Sequence, residues 1–274
     1  INPIEGGPAD TAGLRPDDIV LQVVDTPIEN MSIYEAIALI QGPSGTEVHL
    51  TILRQGTEPF EATITRDEIN IPVVEWKLLP VGIGYISMFE FRTDASSKLA
   101  GAIEELQAEG ATSLILDLRG NPGGYLQEAV LTAGLFLAQD SVVLIERAKE
   151  EEVILRPESY GAPEPIATDT PMVVLVDERS ASASEIVAGA LRDHGRAVLI
   201  GEQTFGKGSV LLVHELSNGA ELRVTIARWF TPNDDAIHGE GLEPDILVEL
   251  TVEDAEADLD PQLDRAIEFL STGQ

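Results

Sequence analysis

The chain has 274 residues, 43% of them hydrophobic, with 17 basic against 48 acidic residues and a formal net charge of −31. Such acidity argues against a nucleic-acid binder, whose phosphates it would repel, and no apolar run approaches the roughly 20 residues of a membrane span. The absence of cysteine excludes thiol catalysis, disulfides and cysteine metal sites.

The length allows two domains, and the pattern divides them as residues 1–66, a linker over 67–80, and 81–274. The first residue is Ile1 rather than methionine, so a longer precursor is expected and the lack of a leader carries no information. Residues 1–66 read as a small β-rich module. Gly7-Pro8-Ala9-Asp10 and Leu14 to Asp18 are turn material. Ile19 to Val24 is a strand, and Ser32-Ile33-Tyr34-Glu35 has capping-box form at the start of a helix that Gly42-Pro43 stops. Val48, Leu50 and Ile52 alternate with more polar positions, and Ala62 to Thr65 is expected to pair with them.

The second domain starts with a strand, Gly82 to Ile86. Leu99, Ile103 and Leu106 mark one face of a helix, Ser113 to Leu118 a strand, Leu126 to Leu137 a helix and Val142 to Ile145 a strand. Lys149 to Glu152 reads as a solvated turn. Val173 to Val176 is a buried strand and Ala197 to Ile200 another, with a helix between them stopped at Gly195. Leu216 to Gly219 is a hairpin turn between Val210–Leu216 and Leu222–Phe230. Asp260-Pro261 opens a last helix with Leu263, Ile267 and Leu270 on one face. Strands alternating with helices predict an α/β core with parallel pairing.

Chemistry concentrates between Val173 and Gly208. Ser180, Ser182 and Ser184 lie at a strand-to-helix turn, and Lys207 follows in a glycine-flanked loop. A serine hydroxyl attacks only if a base takes its proton, and a desolvated lysine can be that base. The plainer reading makes the serines N-cap candidates and Lys207 a solvated loop charge. The loop Gly201 to Lys207 also matches G-x-x-x-x-G-K, but Gly208 stands where Ser or Thr is needed and a strand follows instead of a helix, so a phosphate loop is rejected.

Four blocks in order resemble the carboxy-terminal processing peptidases, a family of Ser-Lys proteases: Asp117-Leu-Arg-Gly-Asn-Pro-Gly-Gly124, Ser180-Ala-Ser-Ala-Ser-Glu185, Gly201-Glu-Gln-Thr-Phe-Gly-Lys-Gly208 and Ile237-His-Gly-Glu-Gly-Leu-Glu-Pro-Asp245. The resemblance runs from about Ile1 to about Leu270. It implies a crotonase/Clp-like α/β protease core behind a small PDZ-like α+β domain whose first strand and carboxylate-binding loop belong before Ile1. It selects Ser182 as nucleophile and Lys207 as base, with the Gly124 and Ala183 amides as the oxyanion hole. It further implies an endopeptidase acting through an acyl-enzyme near the flexible C-termini of proteins, in an extracytoplasmic compartment, without cofactor or metal. Homo-oligomerisation and an activating partner are left open.

One position departs from the family: the glutamine that usually follows the lysine by four residues is Leu211 here. A catalytically weak or silent homologue that binds peptides is therefore the alternative. A Ser-His-Asp triad is the chemical rival, but His49, His194, His214 and His238 each read as structural, and they lack metal-site spacing.

Overall fold

The computed structural model describes every residue except 1, 2, 4, 5, 30, 32, 69–71, 216–220, 258 and 274. It divides into two units, Ile1–Ile71 and Pro72–Gln274. The expected helix start at Ser32 and hairpin turn at 216–219 lie outside the described residues.

The first unit contains α1 (Pro8–Thr11), β1 (Ile19–Val23), β2 (Thr26–Pro27), α2 (Ile33–Ile40), β3 (Glu47–Leu53) and β4 (Phe60–Thr65). α1 replaces the turn expected there, because Pro8 at its first position has its φ preset and needs no amide acceptor. The strands form an antiparallel sheet in the order β2-β1-β3-β4. Val48, Leu50 and Ile52 are buried, with Ala62 and Ile64 beside them, so the alternation selects the core face. Asp18 is buried beneath Arg54, whose Nε and Nη2 each donate to it at 2.8 Å. Those bonds hold its carboxyl below the usual carboxylate range against the opposing effect of burial.

The second unit runs β5 (Val74–Leu79), β6 (Ile83–Met88), α3 (Ala95–Ala108), β7 (Ser113–Asp117), α4 (Leu126–Gly134), β8 (Leu144–Ala148), β9 (Glu152–Leu155), β10 (Met172–Val176), α5 (Ala183–Asp193), β11 (Val198–Gly201), β12 (Ser209–Glu215), β13 (Glu221–Phe230), β14 (Ile246–Leu247), α6 (Val252–Glu256) and α7 (Pro261–Thr272). A six-stranded sheet, β14-β11-β10-β7-β6-β5, is parallel except for the edge pair β5/β6. β5 corrects the linker drawn over 67–80: residues 74–79 are an edge strand whose exposed side hides any hydrophobic periodicity. β9 likewise begins at Glu152, within the supposed turn, where Glu152 pairs with Arg147 on β8 at 2.6 Å.

Leu99, Ile103, Val130, Ile186 and Val187 from α3, α4 and α5 bury one sheet face. Ala266, with Leu263, Ile267 and Leu270 of α7, packs on the other, against Ile115, Val173, Leu175 and Ile200. Cover on both faces explains why Val173 to Val176 is apolar at every position. A second antiparallel sheet, β12-β13-β8-β9, completes the unit.

Candidate active site

Parallel strands deliver their loops to one edge, where α/β folds place ligands. The loops after β7, β10 and β11 carry three of the sequence blocks. Ser182 follows β10 at the N-cap of α5, with φ 57° and ψ −111°. A left-handed conformation at a non-glycine residue costs about 1–3 kcal/mol and needs support from its surroundings. Here the support is on both sides: Ala181 N–H donates to Asn121 O at 3.1 Å, and Ser182 N–H donates to Glu185 Oε2 at 2.8 Å.

The three serines differ in what their hydroxyls do. Ser180 Oγ donates to Leu118 O at 2.8 Å and accepts from Asp177 N–H at 3.0 Å. Ser184 Oγ donates to Asn121 O at 2.9 Å. Both are fully buried, whereas Ser182 keeps 9% of its surface open. Ser180 and Ser184 therefore tie the β10–α5 turn to the loop after β7, and Ser182 stands at the turn's apex.

That loop presses against the serine. Its Asn121 is buried, with Nδ2 donating to Met88 O at 2.7 Å and Oδ1 accepting from Gly123 N–H at 2.9 Å. A Cβ on Gly123 would lie 2.7 Å from Ser182 Cβ, and one on Gly124 would lie 2.3 Å from Phe91 O. Only glycine lets this backbone run so close to both neighbours. Among the described residues no acceptor is recorded for the N–H groups of Gly124 or Ala183.

The loop after β11 reaches the same point through Glu185. This fully buried carboxylate accepts from Thr204 Oγ1 and Gly206 N–H on Oε1, both at 2.6 Å. Its Oε2 accepts from Ser182 N–H and Lys207 N–H, both at 2.8 Å. The Lys207 side chain itself is exposed, rather than buried as its proposed chemistry requires. Leu211 sits on β12 opposite Thr225, next to a bulge, and is 42% exposed. Glu185 has no role in the expectations drawn from sequence, although Ser182-x-x-Glu185 has capping-box spacing.

Behind these loops an ion network joins β7 to α7. Arg119 donates to Asp117 at 2.6 Å and to Asp260 at 2.8 Å, and Tyr85 Oη donates to Asp117 at 2.7 Å. Burial, then the Asp117 charge, pushes the Tyr85 hydroxyl upward. Burial acts to raise Asp260, but Arg119 and the Leu263 amide outweigh it and hold the carboxyl below its ordinary range. The histidines stand elsewhere: His49 Nδ1 lies 2.9 Å from Thr63 Oγ1, and His194 ends α5 with Nε2 2.7 Å from Val142 O. His214 is on β12 and His238 in the turn before Gly239. No group of three or more His, Cys, Asp or Glu suited to a metal occurs among the described residues.

Comparison with known proteins gives the site a context. The model of peptidase family S41 matches residues 82–248, and a PDZ domain model matches 2–54. A carboxyl-terminal-processing protease of Synechocystis sp. is 40% identical over 99% of this chain and 64% of its own length. A carboxy-terminal processing protease of Bacillus subtilis is 35% identical over 91% of this chain and 53% of its own. The chain thus spans between half and two thirds of these relatives' length. A solved photosystem II D1 C-terminal processing protease superposes with a TM-score of 0.67 at 31% identity, covering 90% of this chain and 67% of that one.

Proposed function

The chain belongs to peptidase family S41, and on that premise we propose that it is a serine endopeptidase cleaving proteins near their C-termini, with Ser182 as nucleophile and Lys207 as general base. In this reading Ser182 Oγ bonds to the scissile carbonyl carbon as its proton passes to the Lys207 amine. The carbonyl oxygen becomes an oxyanion facing the Gly124 and Ala183 amides. Collapse breaks the C–N bond, the leaving amine takes the proton back from Lys207, and an ester to Ser182 remains. Water then repeats the sequence and frees the enzyme. Action near protein C-termini is supported by the carboxyl-terminal processing activity for which the relatives are named, and flexible tails are the proposed substrates because an extended segment can enter the site without unfolding.

One observation carries the proposal: among the described residues no acceptor is recorded for the Ser182 hydroxyl proton, whereas Ser180 and Ser184 each donate to a loop carbonyl, and Ser182 caps α5 at a turn whose amide shares a carboxylate with Lys207 N–H. An exposed lysine is a poor base, so the arriving peptide must cover Lys207 and supply the desolvation. The test is turnover of an unstructured protein, with fragments identified by mass spectrometry, for wild type, Ser182→Ala and Lys207→Ala. Loss in both variants is expected; equal turnover by wild type and Ser182→Ala overturns the proposal. A second reading, a weakly active or silent peptide binder, draws support from Leu211 at the family's glutamine position and from the exposure of Lys207. It predicts binding of extended peptides without cleavage.

A further inference from the structure

We infer that Glu185 is the positioning residue that sets Ser182 and Lys207 against one another, an assignment that rests on the Ser-Lys reading above. Its Oε2 accepts from both residues' backbone amides at 2.8 Å, so those two nitrogens lie no further apart than twice that length. Neither partner belongs to the other's element. Ser182 opens α5, whereas Lys207 lies in the loop leading to β12; the Glu185 carboxylate bridges their two amides, beside a backbone bond from Phe205 N–H to Ser180 O at 3.1 Å that ties the loop to the turn.

Among the described residues four donors and no acceptor face this side chain. Thr204 Oγ1 accepts from Leu242 N–H at 2.8 Å, so its own proton points to Glu185 Oε1, 2.6 Å away. The Gly206 amide meets the same oxygen at 2.6 Å. Two acceptor oxygens can receive four donors only as a carboxylate; a glutamine would turn an NH2 toward N–H groups. The Lys207 loop is braced from its other side as well, with Gly239 N–H donating to Gly206 O at 2.9 Å. Two of the sequence blocks thus meet at one buried carboxylate, and a third braces the loop that reaches it.

A residue acting only as a helix cap would lower stability and leave the folded enzyme's rate alone. A positioning residue lowers kcat in the folded state. Its loss lets the base drift from the hydroxyl, and an error near 1 Å costs about 100-fold in rate. The test is Glu185→Gln, assayed on a short peptide well below its melting temperature, with kcat and KM measured separately beside wild type and Ser182→Ala. We expect kcat to fall about 100-fold with KM within about threefold of wild type. Wild-type kcat in folded Glu185→Gln overturns the inference. Should that variant not fold, Thr204→Val and Thr204→Ser decide: a loss of about tenfold in kcat for valine, restored by serine, supports it, and equal rates overturn it. If Ser182→Ala turns over like wild type, the Ser-Lys reading fails; if only Glu185→Gln or Thr204→Val stays fast, the positioning role alone fails.

Discussion

Gly124→Ala tests the proposed oxyanion hole with a perturbation whose size follows from the packing around it. The added Cβ would lie 2.3 Å from Phe91 O, 2.7 Å from its carbonyl carbon and 2.9 Å from its Cα. A carbon normally stays about 3.3 Å or more from a carbonyl oxygen, so the shortfall is about 1 Å. Phe91 cannot move away cheaply. It is fully buried, its amide donates to Gly123 O at 2.8 Å and its carbonyl accepts from Tyr125 N–H at 2.8 Å. The shift therefore falls on residues 123–125 and carries the Gly124 amide with it. Moving a catalytic donor that far costs about 10²-fold in kcat, in the range for losing an oxyanion donor outright. The fold should lose about 1–3 kcal/mol from overpacking and about 1–3 kcal/mol more from strain, because the φ of 146° at Gly124 is one that side chains rarely adopt. The assay pairs kcat on a short peptide with thermal melting. Gly120→Ala serves as a control: its φ is 70°, but no atom lies within 4 Å of the added carbon. It should lose about 1–2 kcal/mol through strain and keep its rate. A folded Gly124→Ala enzyme with wild-type kcat would refute the assignment of this amide.

Ser180→Ala and Ser184→Ala should each destabilise the protein by about 1–2 kcal/mol, because each removes a buried hydrogen bond to a loop carbonyl, yet leave measurable turnover. Ser182→Ala should abolish turnover and melt close to wild type; calorimetry beside a peptide assay separates the three, and an inactive but stable Ser184→Ala would contradict the division. Leu211→Gln should raise kcat/KM without moving the acid limb of the pH profile downward, since a glutamine can orient the lysine amine; a slower variant at every pH shows leucine to be an adapted part of this site. Asp260 has a lowered carboxyl pKa in the folded state, so its contribution to stability is present above the unfolded value near ~3.9 and lost as pH falls through the folded one. Asp260→Asn should therefore flatten the decline in melting temperature below about pH 4, and an unchanged slope would show that Arg119 does not stabilise this carboxylate.

Local pattern was enough for much of the chain. Val48, Leu50 and Ile52 declared the core face of β3, because a strand buried on one side must alternate. Asp260-Pro261 declared the start of α7, because capping depends on neighbours in sequence; Asp260 indeed accepts from Leu263 N–H at 2.9 Å. The motif blocks were likewise visible as strings. β5 was not, because an edge strand with one open side needs no periodicity, and what defines it is the partner β6. The choice among Ser180, Ser182 and Ser184 could not be made from three serines alternating with alanine. It depends on where each hydroxyl points, and the acceptors, Leu118 O and Asn121 O, come from a loop more than sixty residues away in sequence. Glu185 is the clearest case. Nearby sequence could make it a helix cap, but three of its four donors, the Thr204 hydroxyl and the Gly206 and Lys207 amides, reach it only because parallel strands bring the loops after β10 and β11 to one edge of the sheet.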